Sequence, residues 1–374
     1  MGRFKNPETL LEVGIYFQSL TQPQTNTPSN HSPYASGSTP RHDHDHPMSG
    51  AELSLPTLNI LDLELLHNYV TSTAFTLHTD PALKILWRID VPQIGFQYDF
   101  VMRGILALSA LHLARFKPDK SEFYIAHAMQ QHQIGLRMAT SVLQEVTDQN
   151  CTGVWVFSAL TLFFTLASPR GASDFLLIGE NGISDWLFLV KGTGFIIDNS
   201  EKQLAKGPLG PMFLAGKRRS QLRRQILNEA SINDDPLTEL QNRITESDTD
   251  RMVVPAYLSA IEVLRVSFVF IFASGPPGYE TGDVFYWVFR VTDEYLQLLK
   301  MQTQESMAIL AYFCVVLRRL DSQWWMEGWS THLIAKIWNL LDEEHRYAMK
   351  RLPKTIKITI HVTDSSQTLD SMAD

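Results

Sequence analysis

From Leu58 to about Leu352, apolar residues return every three or four positions, the spacing of helices that each bury one face. Leu58, Leu61, Leu65, Leu66, Tyr69 and Val70 form the first stripe. Phe100, Ile105, Leu108, Leu111 and Leu113 form a second, with Asp99 in position to cap it. Ser121 stands where a cap belongs for a long helix running to about Val146, and Glu122 falls in its first turn. The pattern predicts further helices over 153–167, 184–198, 217–231, 248–274, 283–300, 304–322 and 329–349. Gly and Pro punctuate them at Pro169, Gly171, Gly207-Pro208, Gly210-Pro211 and Gly275-Pro276-Pro277-Gly278. Period-two strands joined by hairpin turns are not evident. Lys354 to Val362, KTIKITIHV, alternates like a strand but has no partner in the sequence. The expected fold class is all-α, one large helical domain over 58–352.

Outside that span the pattern fails. Residues 21–57 are rich in Thr, Pro, Asn, Ser and His and nearly lack large apolar side chains. Such a segment cannot bury enough surface to offset its ordering entropy. Residues 1–57 are therefore expected to be a disordered arm, with a short amphipathic helix through Leu10, Leu11, Ile15 and Phe17, and 353–374 a C-terminal tail.

Composition narrows the function. The 374 residues are 44% hydrophobic and 19% charged, an ordinary balance for a full core. Net charge is −8, whereas a domain gripping phosphates is usually basic, so direct DNA binding is not expected. The two cysteines, Cys151 and Cys314, lie in apolar helical surroundings that suit buried, reduced thiols. They are too few for a cysteine-rich metal cluster. The N-terminus has no apolar run of signal-peptide length. Val154–Ala167 and Val263–Ala273 are apolar but short of the ~20 residues that span a bilayer, and read as buried helices, with no membrane association expected.

Motifs that hint at chemistry are weak. His42, His44 and His46 alternate with Asp43 and Asp45 and could hold a transition metal, but nothing there orients the rings, and a solvated linker is the better reading. Lys191-Gly192-Thr193-Gly194 lacks the third glycine of a dinucleotide turn and reads as a helix end. Gly210 to Lys217, GPMFLAGK, has one residue too many between its glycines for a P-loop, and Arg218 replaces the magnesium-binding hydroxyl. Asn233-Asp234-Asp235-Pro236 reads as turn chemistry, because Pro236 breaks the helix that would present a second carboxylate. No catalytic residue, metal or cofactor is assigned.

Two features remain. Leu310 to Trp329, LAYFCVVLRRLDSQWWMEGW, runs as an apolar helix face into Trp324, Trp325 and Trp329 around Gly328. These four, with Phe268, Phe272 and Phe313, are candidates for the wall of an apolar pocket; a helical core packed with the same rings is the alternative. Lys217, Arg218, Arg219, Arg223 and Arg224 make the densest basic run. It reads as a solvated helix face, a nuclear-import signal or a contact for an acidic partner.

Several segments together resemble the C-terminal regulatory domain of fungal zinc-cluster (Zn2Cys6) transcription factors of the sterol-uptake-control type. They are the entry helix Leu61 to Tyr69, LDLELLHNY, then Val91 to Phe96, VPQIGF, followed by Phe100 and Leu106 to Ala114, LALSALHLA. Ala128 through His132, Cys151 to Pro169 and Leu310 to Trp329 follow in the same order. The resemblance spans about 58–352 and implies an all-α, non-enzymatic domain that binds an apolar, sterol-like ligand and self-associates. It further implies homodimer or co-regulator partners, a role in lipid, sterol or secondary-metabolite gene control, and a nuclear location, cytoplasmic when inactive. The six-cysteine cluster that reads DNA in such factors is missing, since no cysteine precedes Cys151. An all-α enzyme or carrier acting on an apolar small molecule is the rival reading.

Overall fold

The computed structural model describes residues 59–143, 145–171, 175–179, 182–183, 187, 200–229, 236–247, 250–274 and 278–350. The expectations for the arm, His42–His46, the helix at 184–198, Lys191–Gly194, Asn233–Asp235, Lys354–Val362 and the tail lie outside the described residues.

Helix α1, Ile60–Thr71, starts where the Asn59 side chain accepts from the Asp62 N–H at 3.3 Å. A 3-10 turn, Thr73–Thr76, leads to α2, Pro81–Ile85, which Asp80 caps through the Ala82 and Leu83 N–H groups. A π-helical turn, Leu86–Asp90, joins it to α3, Val91–Gln97. The register widens there because Pro92 has no N–H for the Arg88 carbonyl.

Helices α4, Asp99–Phe116, α5, Ser121–Leu143, and α6, Cys151–Ala167, pack as one layer. Two expected caps are corrected. Tyr98, extended, holds the cap position of α4, and Asp99 is already in its first turn. Ser121 is helical, because the 3-10 turn Pro118–Lys120 feeds straight into α5, so its hydroxyl cannot cap. The layer packs tightly at Gly153, where a Cβ would lie 2.8 Å from the Tyr98 ring. A two-residue antiparallel ladder follows, β1 (Ile178–Gly179) with β2 (Gly182–Ile183), which the periodicity does not show.

Helix α7 spans Gly210–Glu229, seven residues earlier than expected, so the P-loop look-alike is simply its first two turns. The helix expected over 248–274 starts six residues later, as α9, Val254–Ser274, and a helix the periodicity did not show, α8, Pro236–Glu246, precedes it. Pro236 opens α8 rather than breaking a helix, since a first-turn proline gives up no helical hydrogen bond. By length and composition α9 is long and apolar enough to cross a membrane, which corrects the shorter run expected; its inner residues Tyr257, Ile261, Leu264, Phe268 and Ile271 are built into the core.

The remaining helices are α10 (Thr281–Val284), α11 (Asp293–Lys300), α12 (Gln304–Leu317), α13 (Trp329–Leu340) and α14 (Glu343–Lys350), with a 3-10 turn at Arg318–Leu320. Two helices have long stretches with no solvent face. Gly104–Ala114 of α4 and Ser306–Leu317 of α12 are buried at every position. Amphipathic helices wrap these two, which makes the fold all-α.

Some polar groups inside the core are matched, while others, among them the Tyr69 hydroxyl and the Trp155 N–H, have no hydrogen-bond partner. Ser109 donates to the Leu65 carbonyl at 2.7 Å and accepts from Asn68 at 2.9 Å, tying α4 to α1. Cys151 and Cys314 are buried free thiols, Cys151 donating to the Asp148 carbonyl at 3.5 Å, and burial pushes the Cys314 thiol far above its ordinary value.

Candidate functional site

The tryptophan segment is a tight turn between α12 and α13. Gly328 makes it possible, with φ 75° and ψ 0°, the left-handed conformation that a side chain disfavours. From this turn two indoles reach Thr76 and the third reaches Leu166, so each N–H is taken by the protein. Trp324 donates to the Thr76 hydroxyl at 2.8 Å and meets the His112 ring edge-on at 5.0 Å. Trp325, fully buried, donates to the Thr76 carbonyl at 3.4 Å and packs edge-on against Phe163 at 5.0 Å. Trp329 donates to the Leu166 carbonyl at 2.9 Å and carries the Arg170 guanidinium over its ring at 5.2 Å. Arg170 also donates to the Glu327 carbonyl at 2.7 Å, and a Cβ on Gly328 would lie 3.1 Å from its guanidinium.

These contacts make the turn a staple. It joins the 3-10 turn after α1 to the end of α6, and Glu327 adds an ion pair to Arg115 at the end of α4. An aromatic row continues inward, with Phe163 edge-on to Trp87 at 5.6 Å and His78 stacked on Trp87 at 5.8 Å. Burial holds the His78 and His112 imidazoles down at about 4, so both are neutral.

The other pocket candidates lie in separate contacts. Phe313 is fully buried and stacks on Trp287 at 4.5 Å, whose N–H goes to the Ala260 carbonyl. Phe268 stacks on Phe272 at 5.4 Å, and Phe272 is partly exposed beneath the Arg319 guanidinium. Trp324, Trp325, Gly328 and Trp329 are thus brought together, while the three phenylalanines are held in their own stacks. A cleft of about 540 Å³ lies at another place, between the start of α9 and α11. Met252, Pro255, Ser259, Gln297 and Leu298 line it, and it includes none of the seven candidates.

The basic run is divided by helix phase. Arg219 and Arg223, four apart, face inward and both reach Asp283, at 2.5 and 2.6 Å. Asp283 is 2% exposed, so this is an interior carboxylate held by two guanidinium groups. The two arginines also lie over the Phe270 ring, and Arg223 over Tyr286. Lys217, Arg218 and Arg224 point to solvent. A linear signal that needs all five cations exposed is not presented by this helix.

Sequence reasoning missed Thr76, Arg170 and Asp283, which organise these contacts. Met212, Ala215, Arg219 and Ile226 share a helical face, a spacing that could have marked Arg219 as inward. Nothing local marks Thr76, which is 248 residues from Trp324.

No family model matches the chain. Its homologues are Zn(2)-C6 fungal-type transcription factors and sterol uptake control proteins. Over 286 residues, 72% of this chain, it is 24% identical to a Zn(2)-C6 fungal-type transcription factor of Gibberella zeae, over 56% of that protein. It is 31% identical over 147 residues to sterol uptake control protein 2 of Saccharomyces cerevisiae, covering 37% of this chain and 15% of the relative. The sterol uptake control protein 2 of Candida albicans is 29% identical over 142 residues, covering 37% and 19%. The chain therefore matches little more than half the length of the first relative and smaller shares of the others.

Proposed function

We propose that this chain acts as the helical regulatory domain of a fungal transcription regulator, controls lipid, sterol or secondary-metabolite genes, and does so without catalysing a reaction. The observation that carries the reading is the similarity to a Zn(2)-C6 factor across 72% of the chain. That match is joined by two proteins named for sterol uptake control. The all-α architecture agrees with what the sequence resemblance implies. The nucleus is the expected site of action, as it is for transcription factors in general.

The test is to fuse the chain to an unrelated DNA-binding domain and measure a reporter in yeast, with and without sterol depletion. A reporter that departs from the level set by the DNA-binding domain alone, and moves with sterol supply, is the expected result. A level equal to that of the bare DNA-binding domain in both conditions would remove the regulatory reading.

Ligand sensing is a separable part of the proposal. An apolar ligand entering at the tryptophan turn has to displace the Trp324–Thr76 hydrogen bond, so its binding should shift tryptophan emission and raise the melting temperature. Neither change with ergosterol would remove ligand sensing at this turn and leave gene regulation to be judged by the reporter.

A further inference from the structure

Helix α7 is the most cationic segment of an acidic molecule. It carries five lysine and arginine side chains and one carboxylate, Glu229, in a chain of net charge −8. Its residues sort by phase. Arg219 and Arg223 turn inward and share one carboxylate, that of Asp283. Leu214, Lys217, Arg218, Gln221, Arg224 and Asn228 are all exposed, at intervals of three, one, three, three and four, the repeat of a single helical face. Among the described residues Lys217, Arg218 and Arg224 form no ion pair.

Uncompensated like charges along one helix face repel one another, which gives folding nothing. The inner pair shows that this helix can match its arginines with a carboxylate where the fold needs it. The outer three are left for a partner. The lock to Asp283 also fixes the rotation of α7, so the outer cations are held in place before any partner arrives.

We infer that the outer face of α7 docks an acidic, amphipathic segment of a partner protein, with the cations pairing its carboxylates and Leu214 meeting its apolar side chains. Charge complementarity is the ground for that occupant. Leu214 is 57% exposed at one edge of the cationic row, an apolar contact that a polyphosphate would not use. The net negative charge of the rest of the chain opposes a long nucleic acid while leaving a short acidic helix room on this one face. An anionic membrane would call for aromatic or several large apolar residues on the face, and the exposed side of α7 offers only Leu214 and, at its margin, Leu222, with no aromatic ring. The inference stands on this charge pattern and does not require the regulatory reading.

The experiment uses the full chain and a labelled peptide of about 18 residues with Glu along one helical face and Leu along the other. Anisotropy should report binding on the order of micromolar, weakening with added salt. Lys217→Glu, Arg218→Glu and Arg224→Glu together should weaken it about tenfold or more. The milder set Lys217→Gln, Arg218→Gln and Arg224→Gln should also weaken it. A control with the same charge change elsewhere, Lys120→Glu, Arg137→Glu and Lys300→Glu, should bind like the parent. Both α7 variants should keep the parent's circular dichroism, since Arg219 and Arg223 are untouched. Parent-like binding by the α7 variants, or equal loss in the control, would overturn the inference. So would absent peptide binding beside tight binding to a 20-base-pair duplex or to phosphatidylserine vesicles at the same salt.

Discussion

Three imidazoles are held neutral by burial, His78, His112 and His132, each pushed down to about 4. His132 lies flat on Phe164 at 3.9 Å between α5 and α6, with only the Thr161 hydroxyl beside its Nε2. An unfolded chain protonates these rings near the ordinary value of about 6.5, so between that pH and 4 the unfolded state holds more protons. Stability is therefore whole above about 6.5 and falls as pH drops toward 4, by roughly 2 to 3 kcal/mol for each well-buried ring. His132→Phe should flatten that fall, as read from denaturant midpoints at pH 7, 5.5 and 4.5; an unchanged slope would mean the ring is not titrating on unfolding. Gly328 gives a second test. Gly328→Ala places a Cβ in left-handed backbone and against Arg170, and should cost about 1 to 2 kcal/mol by chemical denaturation, while Gly328→Asn, which tolerates that backbone better, should cost less. Equal costs would point to the Arg170 contact alone. The tryptophans were legible in the sequence as a cluster but not as a staple, because Thr76 and Leu166 are acceptors that no spacing near Trp329 encodes.

Helix α7 has no residue that is wholly buried among those described, and is held by Met212, Phe213, Ala215 and Ile226 together with the Arg219–Asp283–Arg223 lock. Breaking an interior ion pair from one side strands its partners. Asp283→Ala should therefore cost about 3 kcal/mol and open α7 to trypsin at Lys217–Arg224 before the rest of the chain is cut. Slow, uniform digestion instead would show that the apolar contacts suffice. Asp283 also closes a reciprocal cap with Glu280 at the start of α10, so one carboxylate serves two elements. Element existence was largely legible from periodicity, while boundaries were not. Pro236 illustrates the reason: a proline permits a helix to begin and forbids it to continue, and only the backbone before it decides which. The run at 283–300 shows another. Its apolar residues Phe285, Trp287 and Val288 are buried as a helix would bury them, yet the chain leaves α10 at Val284, passes them in turns and becomes helical again only at Asp293.

At the scale of the molecule, the two solvent-free stretches of α4 and α12 account for why a class assignment succeeds from sequence alone. Runs as apolar as Gly104–Ala114 and Ser306–Leu317 require a shell of amphipathic helices around them, and the sequence supplies those stripes on both sides. What joins the shell is long-range and therefore silent in any local pattern. Net charge belongs to this scale as well. The purified chain should show no sequence-dependent affinity for duplex DNA at physiological salt, and nanomolar, site-selective binding in an anisotropy assay would contradict that. The bond between Trp324 and Thr76 carries one more consequence, which concerns synthesis rather than stability. Its partners are separated by 248 residues. At a translation rate of 5–20 residues per second, the region around Thr76 leaves the ribosome roughly 12 to 50 seconds before the turn that will cover it. Until then the Trp87–Phe163 contact lacks the Trp325 ring that packs on it in the finished fold, so this part of the core closes only late in synthesis.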